Sequence, residues 1–141
     1  MILLDTNVVS DSSRPRPHPS VHNWFNAQSP DDLFICAPVL AELRYGVEKL
    51  PKGVRRGDLE QWLQQIEREG FADRILPFDW RAAHEFGRLL HQRTSKGRPI
   101  NTMDAIIAAI AKAEGAILAT RDVADFADLE IKIVNPFAFR G

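Results

Sequence analysis

Four carboxylates stand where chemistry is possible: Asp5, Glu42, Asp104 and Asp122. Asp5 follows Met1-Ile2-Leu3-Leu4, an apolar run without alternation that suits a strand buried on both faces of a parallel sheet. Asp122 closes Thr120-Arg121-Asp122 after a second such run, Ala116 to Ala119. Glu42 falls one turn into a helix that Pro38 can start, just beyond the apolar run Leu33 to Cys36. Asp104 lies in the first turn of a helix capped by Asn101-Thr102. Each acid also has a plainer reading. Asp5 or Thr6 could cap the next helix, Glu42 could be a surface acid favoured by the helix dipole, and Asp104 could complete a capping box. Together they carry more weight, because in a doubly wound sheet the strand ends and the starts of the following helices share one edge. Carboxylates gathered there repel unless protonated or bridged by a cation, and an all-oxygen donor set suits magnesium or manganese. Such an ion lowers the pKa of a bound water and neutralises a phosphate, as metal-dependent nucleases require.

The elements that must hold these acids can be read from periodicity. Three prolines, Pro15, Pro17 and Pro19, forbid a continuous helix after the short Val8-Val9 segment, so a loop precedes a helix from about Pro19 to Gln28. A helix from Pro38 to Leu50 carries Val39, Leu40, Leu43 and Val47 on its apolar stripe, with Glu42 at the edge. Another begins near Asp58 and stops at Gly70, and a short strand, Arg74 to Phe78, is weakened by Pro77 and so belongs near an edge. Asp79 caps a helix that turns Ala83, Phe86, Leu89 and Leu90 inward and ends near Gly97. The helix after Asn101 is apolar nearly all round, from Ala105 to Ala111, and is therefore central. Gly115 ends it, and Ile131 to Val134 forms the last strand. Strands alternate with helices throughout. The expectation is one domain over residues 1–141, a three-layer α/β/α fold around a mainly parallel sheet of about four to five strands.

Composition sets the outer limits. At 141 residues, 45% hydrophobic and 26% charged, the chain has the profile of one ordinary globular domain. No apolar run approaches the roughly 20 residues that span a bilayer, and the start lacks a signal peptide's basic region, which together point to the cytoplasm. Cys36 is the only cysteine and sits in an apolar run, as a buried strand residue would. A net charge of -1 neither demands nor excludes nucleic acid, since binding depends on local patches such as Arg93, Lys96 and Arg98, which could equally be solvated surface. His18 and His22 stand four apart, but no third ligand follows at zinc spacing.

The ordered motifs resemble those of PIN-domain ribonucleases, in particular the VapC and FitB toxins of bacterial toxin-antitoxin modules. They are Asp5-Thr6-Asn7, Ala41-Glu42-Leu43-Arg44-Tyr45-Gly46, Asp104 to Ala109, and Thr120-Arg121-Asp122 followed by Asp125-Phe126. The resemblance runs from Met1 to Phe137. It implies a type II toxin that hydrolyses RNA with Mg2+ or Mn2+ held by Asp5, Glu42, Asp104 and Asp122. It further implies Thr6, Asn7, Thr120 and Asp125 in support, Arg44 and Arg121 near the RNA backbone, a homodimer, and inhibition by a cognate antitoxin. Many relatives carry Asn at the position of Asp122, which leaves Asp122 and Asp125 both open as the fourth acid. A phosphatase of the haloacid dehalogenase type would need an acid where Asn7 stands, and a nucleotide-binding fold would need a glycine-rich turn after the first strand. A PIN-like fold without catalysis, binding only an antitoxin or RNA, is the remaining alternative.

Overall fold

The computed structural model describes residues 1–141. Five short strands, β1 (Ile2–Leu4), β2 (Leu33–Cys36), β3 (Ile75–Leu76), β4 (Ile117–Ala119) and β5 (Ile133–Val134), form one parallel sheet in the order β3-β2-β1-β4-β5. From β1 the chain moves outward to β2 and β3, then returns to the other side of β1 for β4 and β5. The direction reverses between β1 and β4, where neighbouring loops part and leave a crevice at the carboxyl edge. Leu4 pairs with Ala119 there, so Asp5 and Thr120 leave the sheet side by side. The Asp5 N–H still donates to the Ala119 carbonyl (2.9 Å), which fixes the first acid to the strand end.

Six helices complete a three-layer α/β/α domain: α1 (Thr6–Asp11), α2 (Pro19–Asn26), α3 (Ala37–Glu48), α4 (Val54–Gln65), α5 (Trp80–Ser95) and α6 (Thr102–Glu114). Leu3, Leu4, Ile35 and Leu118 of the strands are fully buried among Val39, Ala108, Ala109 and Phe126. This continuous apolar burial is what excludes water from the sheet and makes the carboxyl edge the place where polar groups emerge. No helix is long and apolar enough to cross a membrane.

Several expectations need correction. Val8-Val9 belongs to α1, a six-residue helix whose start Asp5 caps by accepting from the Thr6 N–H (2.8 Å). The helix expected from Asp58 begins at Val54 and ends at Gln65, followed by a wider π-type turn at Ile66–Gly70. On α5 it is Ala82, not Ala83, that turns inward. Arg93 is not solvated surface at all, being 4% exposed. His18 does not pair with His22 around a metal, because its Nδ1 accepts from the Ser20 N–H (3.2 Å) and caps α2, while His22 lies beside Asn26. Elsewhere the expected boundaries hold to within a few residues, including the left-handed Gly115 (φ 63°) that closes α6, a conformation L side chains disfavour.

Candidate active site

Two threonines and one asparagine hold three of the acids, Asp5, Glu42 and Asp122. Asp5 is buried, and its Oδ2 accepts from the Thr120 hydroxyl (2.7 Å) and the Asn7 amide (3.4 Å). The same Asn7 amide donates to Asp122 Oδ2 (3.0 Å), and the Asp122 N–H donates to Thr120 Oγ1 (3.0 Å). Thr6, the first residue of α1, donates its hydroxyl to Glu42 Oε1 (2.6 Å) and so connects α1 with α3. Capping and site formation are thus not alternatives at Asp5: one carboxylate oxygen caps α1 while the other faces Thr120.

Asp104 arrives on α6. The Asn101 side chain accepts from the N–H groups of Met103 (2.9 Å) and Asp104 (3.3 Å), and this cap sets the direction of the helix. No donor of the protein reaches the Asp104 carboxylate, so a capping box is not formed. Burial raises its pKa to about 6, and Asp5, Asp125, Glu42 and Asp122 push it in the same direction. Asp5 is also raised, by burial first and then by Glu42 and Asp122, although the hydrogen bonds from Thr120 and Thr6 oppose this. All four acids therefore share one electrostatic field. None of them takes part in any ion pair of the molecule.

Asp125 sits one 3-10 turn after Asp122, its N–H donating to the Asp122 carbonyl (3.0 Å). It raises Asp104 more than Asp122 does, and with Asp104, Arg93, Arg98 and Asn101 it lines a polar cavity of about 290 Å³. Arg93 is the site residue that the sequence reading missed. Its guanidinium donates to the carbonyls of Asp125 (2.5 Å), Ala127 (2.9 Å) and, more weakly, Arg98 (3.4 Å), while its Nε is buried without a partner. It holds the turn bearing Asp122 and Asp125 against the loop leading to α6. The spacing Ala82, Phe86, Leu89, Arg93 places it on the apolar stripe of α5, a signal hidden by the basic residues beside it. Arg44 stays exposed, 3.9 Å from Glu48, and Arg121 stacks on Phe137. Cys36 is no nucleophile, since burial pushes its thiol up to about 12.

The donor chemistry fits a hard divalent cation. No three acids, histidines or cysteines form a ready-made cage. Magnesium does not need one, because it keeps several waters and takes only one or two protein carboxylates directly.

The model of the PIN domain family matches residues 2–132. The chain belongs to the PIN-domain family. Among relatives of this PIN domain, a VapC ribonuclease of Sinorhizobium fredii is 37% identical over 97% of the chain and 98% of the relative. The toxin FitB of Neisseria gonorrhoeae is also 37% identical, over 97% of the chain and 99% of its own length. The solved structure of FitAB bound to a DNA fragment superposes on this PIN domain with a TM-score of 0.93 at 35% identity, covering 100% of this chain and 99% of that one.

The raised Asp104 pKa has a direct consequence for stability. An unfolded aspartate titrates near its ordinary value of 3.8, so between there and about 6 the folded state holds the extra proton. Stability contributed by this group therefore falls as pH rises through that window and stays low at neutral pH. Metal-free protein is expected to lose denaturant resistance over this interval, and Asp104→Asn to flatten the change and raise neutral-pH stability. Urea midpoints for both proteins across the interval check this. Parallel profiles for the two would show that Asp104 ionises without strain.

Proposed function

We propose that this PIN domain is a metal-dependent ribonuclease toxin of a type II toxin-antitoxin system. The observation that carries the reading is the set of four acids at the carboxyl edge of the sheet: Asp5, Glu42 and Asp122 held by neutral donors, Asp104 held by none, and all four without an ion-pair partner in the protein. Relatives named VapC ribonuclease and FitB toxin support the activity and the toxin role, and the FitAB structure supports a cognate antitoxin as partner. A homodimer completes the assembly.

The acids would hold one or two divalent ions, magnesium or manganese. A bound ion supplies a more acidic water and neutralises charge on the scissile phosphate. The chain's own residues do the rest. Thr120 and Asn7 keep Asp5 and Asp122 turned toward the crevice, and Thr6 does the same for Glu42. Asp104, without any donor, is the carboxylate freest to take a cation or a proton from attacking water. We expect the substrate to be single-stranded or looped RNA.

Asp122 and Asp125 divide the fourth position between them. Asp122 shares Asn7 and Thr120 with Asp5, whereas Asp125 acts on Asp104 from the cavity side. We expect Asp122→Ala to weaken metal binding and cleavage more than Asp125→Ala, whose loss should be about 10- to 100-fold, as for residues that orient a ligand. Calorimetric metal affinities and cleavage rates for the two variants decide the order. If Asp125→Ala abolishes metal binding and Asp122→Ala spares it, the assignments exchange.

The toxin role is tested by inducing the chain alone in bacteria and sequencing newly formed RNA ends. Growth arrest with discrete new ends, absent with Asp5→Asn, is the expected outcome. Unchanged growth and unchanged ends with well-expressed protein would contradict it.

A further inference from the structure

Arg121 lies between two residues of the acid network, yet its side chain is used for something else. Its guanidinium carbon is 3.7 Å from the centroid of the Phe137 ring, against 4.7 and 5.5 Å for the molecule's other cation–aromatic contacts. It joins no ion pair, although Asp122 is its neighbour in sequence and the crevice is rich in acid. The backbone is fixed on both sides: the Arg121 N–H donates to Asn7 Oδ1 (3.2 Å) and the Asp122 N–H to Thr120 Oγ1 (3.0 Å). The ring beneath is fixed as well. Its backbone N–H donates to the Asn135 side chain (3.0 Å), and the His18 ring meets it edge-on at 5.4 Å. Segments from the first loop, the β4 exit and the C-terminal turn thus converge to hold one exposed, planar cation at the rim of the crevice.

A guanidinium whose carbon lies 3.7 Å over an aromatic ring, on an exposed side chain, has a far face that can meet a ligand. That face is complementary to the π-surface of an unpaired base, a contact that tolerates sequence and needs no hydrogen-bond code. A phosphate contact alone needs a charge but not the stack, and lysine too binds phosphate, as a point charge. We propose that Arg121, stacked on Phe137, is a base-stacking platform for the nucleotide flanking the scissile phosphate of single-stranded RNA. The platform rests on the ribonuclease reading above and adds the group that positions the strand.

The test uses an oligoribonucleotide spanning a cut found in a cellular RNA pool, with one base at a time replaced by an abasic ribose. Wild-type protein, Arg121→Lys and Phe137→Leu are compared in magnesium. One flanking abasic position should raise the wild-type KM by about 5- to 150-fold, the range for a single base–aromatic stack. Arg121→Lys should raise KM similarly on intact RNA and lose sensitivity to that abasic position, while the salt dependence of binding stays the same because the charge is kept. Phe137→Leu should behave like Arg121→Lys, with circular dichroism reporting that the fold is retained. A wild-type KM for Arg121→Lys, or equal abasic penalties in both proteins, would overturn the platform and leave the ribonuclease intact. Failure of wild-type protein to cut any RNA overturns the ribonuclease reading and the platform with it.

Discussion

Replacing Asp5 or Asp104 by asparagine is expected to lower RNA cleavage by on the order of 100-fold or more while leaving the fold intact. The shape of the side chain is kept, but a charged oxygen is lost from the proposed metal site. Folding should survive for a physical reason. Both carboxylates are raised by burial and by one another, so removing one charge relieves repulsion. The two variants differ in what else they disturb. Asn at position 5 still offers one oxygen to Thr120 or to the α1 cap, whereas Asn at position 104 breaks no hydrogen bond of the carboxylate. Asp104→Asn should therefore be at least as stable as the parent at neutral pH, and Asp5→Asn closer to neutral in effect. Cleavage rates with urea midpoints for the same preparations separate chemistry from folding. Wild-type rates in both variants would remove these acids from the mechanism, and an unfolded Asp5→Asn would reduce Asp5 to the cap of α1.

Removing divalent metal should have an effect as large. Without a cation, Thr6, Asn7 and Thr120 hold Glu42, Asp5 and Asp122, while Asp104, raised by burial and by the other acids, takes up protons near pH 6. In that state no cation is paired with the four acids, and an RNA strand meets their negative charge. Cleavage in EDTA is expected to fall to background and to return on adding magnesium or manganese in excess. Because metal and protons compete for the same oxygens, the metal concentration giving half-maximal rate should rise as pH falls below about 6. Rates measured against metal at several pH values check both statements. Equal cleavage with and without chelator, from protein free of contaminating nuclease, would end the metal account.

Much of this arrangement was legible before any coordinates. The runs before Asp5 and Asp122 lack alternation because both faces of a parallel strand are covered, and that pattern marks their ends as a shared edge. The position of Glu42 at the margin of the α3 stripe was visible from the helical spacing of Val39, Leu43 and Val47. What was not legible is instructive. Helix α1 has only six residues, two of them valine, so it carries too little periodicity or propensity to be seen; the Asp5 cap and the burial of Val8 and Val9 hold it. The early start of α4 at Val54 follows Gly53, which supplies no side-chain cap, so the usual start signal is missing even though Arg56 and Glu60 (3.0 Å) form an i,i+4 pair inside the helix. Arg93 was hidden by the ordinary assumption that arginine is exposed. The roles of Asn7 and Thr120 follow from the pairing of β1 with β4 across more than a hundred residues, which spacing alone does not reveal.

The most direct test of the central claim is the chemistry of the ends produced in heavy-oxygen water. If water attacks the phosphodiester in a crevice built from Asp5, Glu42, Asp104 and Asp122, mass spectrometry of short-incubation products should find one heavy oxygen in the terminal phosphate. No cyclic phosphate should be present, and Asp104→Asn should produce no labelled ends above background. Cyclic phosphate ends, formed at the same rate in EDTA and by Asp104→Asn, would mean that the neighbouring ribose hydroxyl is the nucleophile and that the acid cluster is not the catalytic centre.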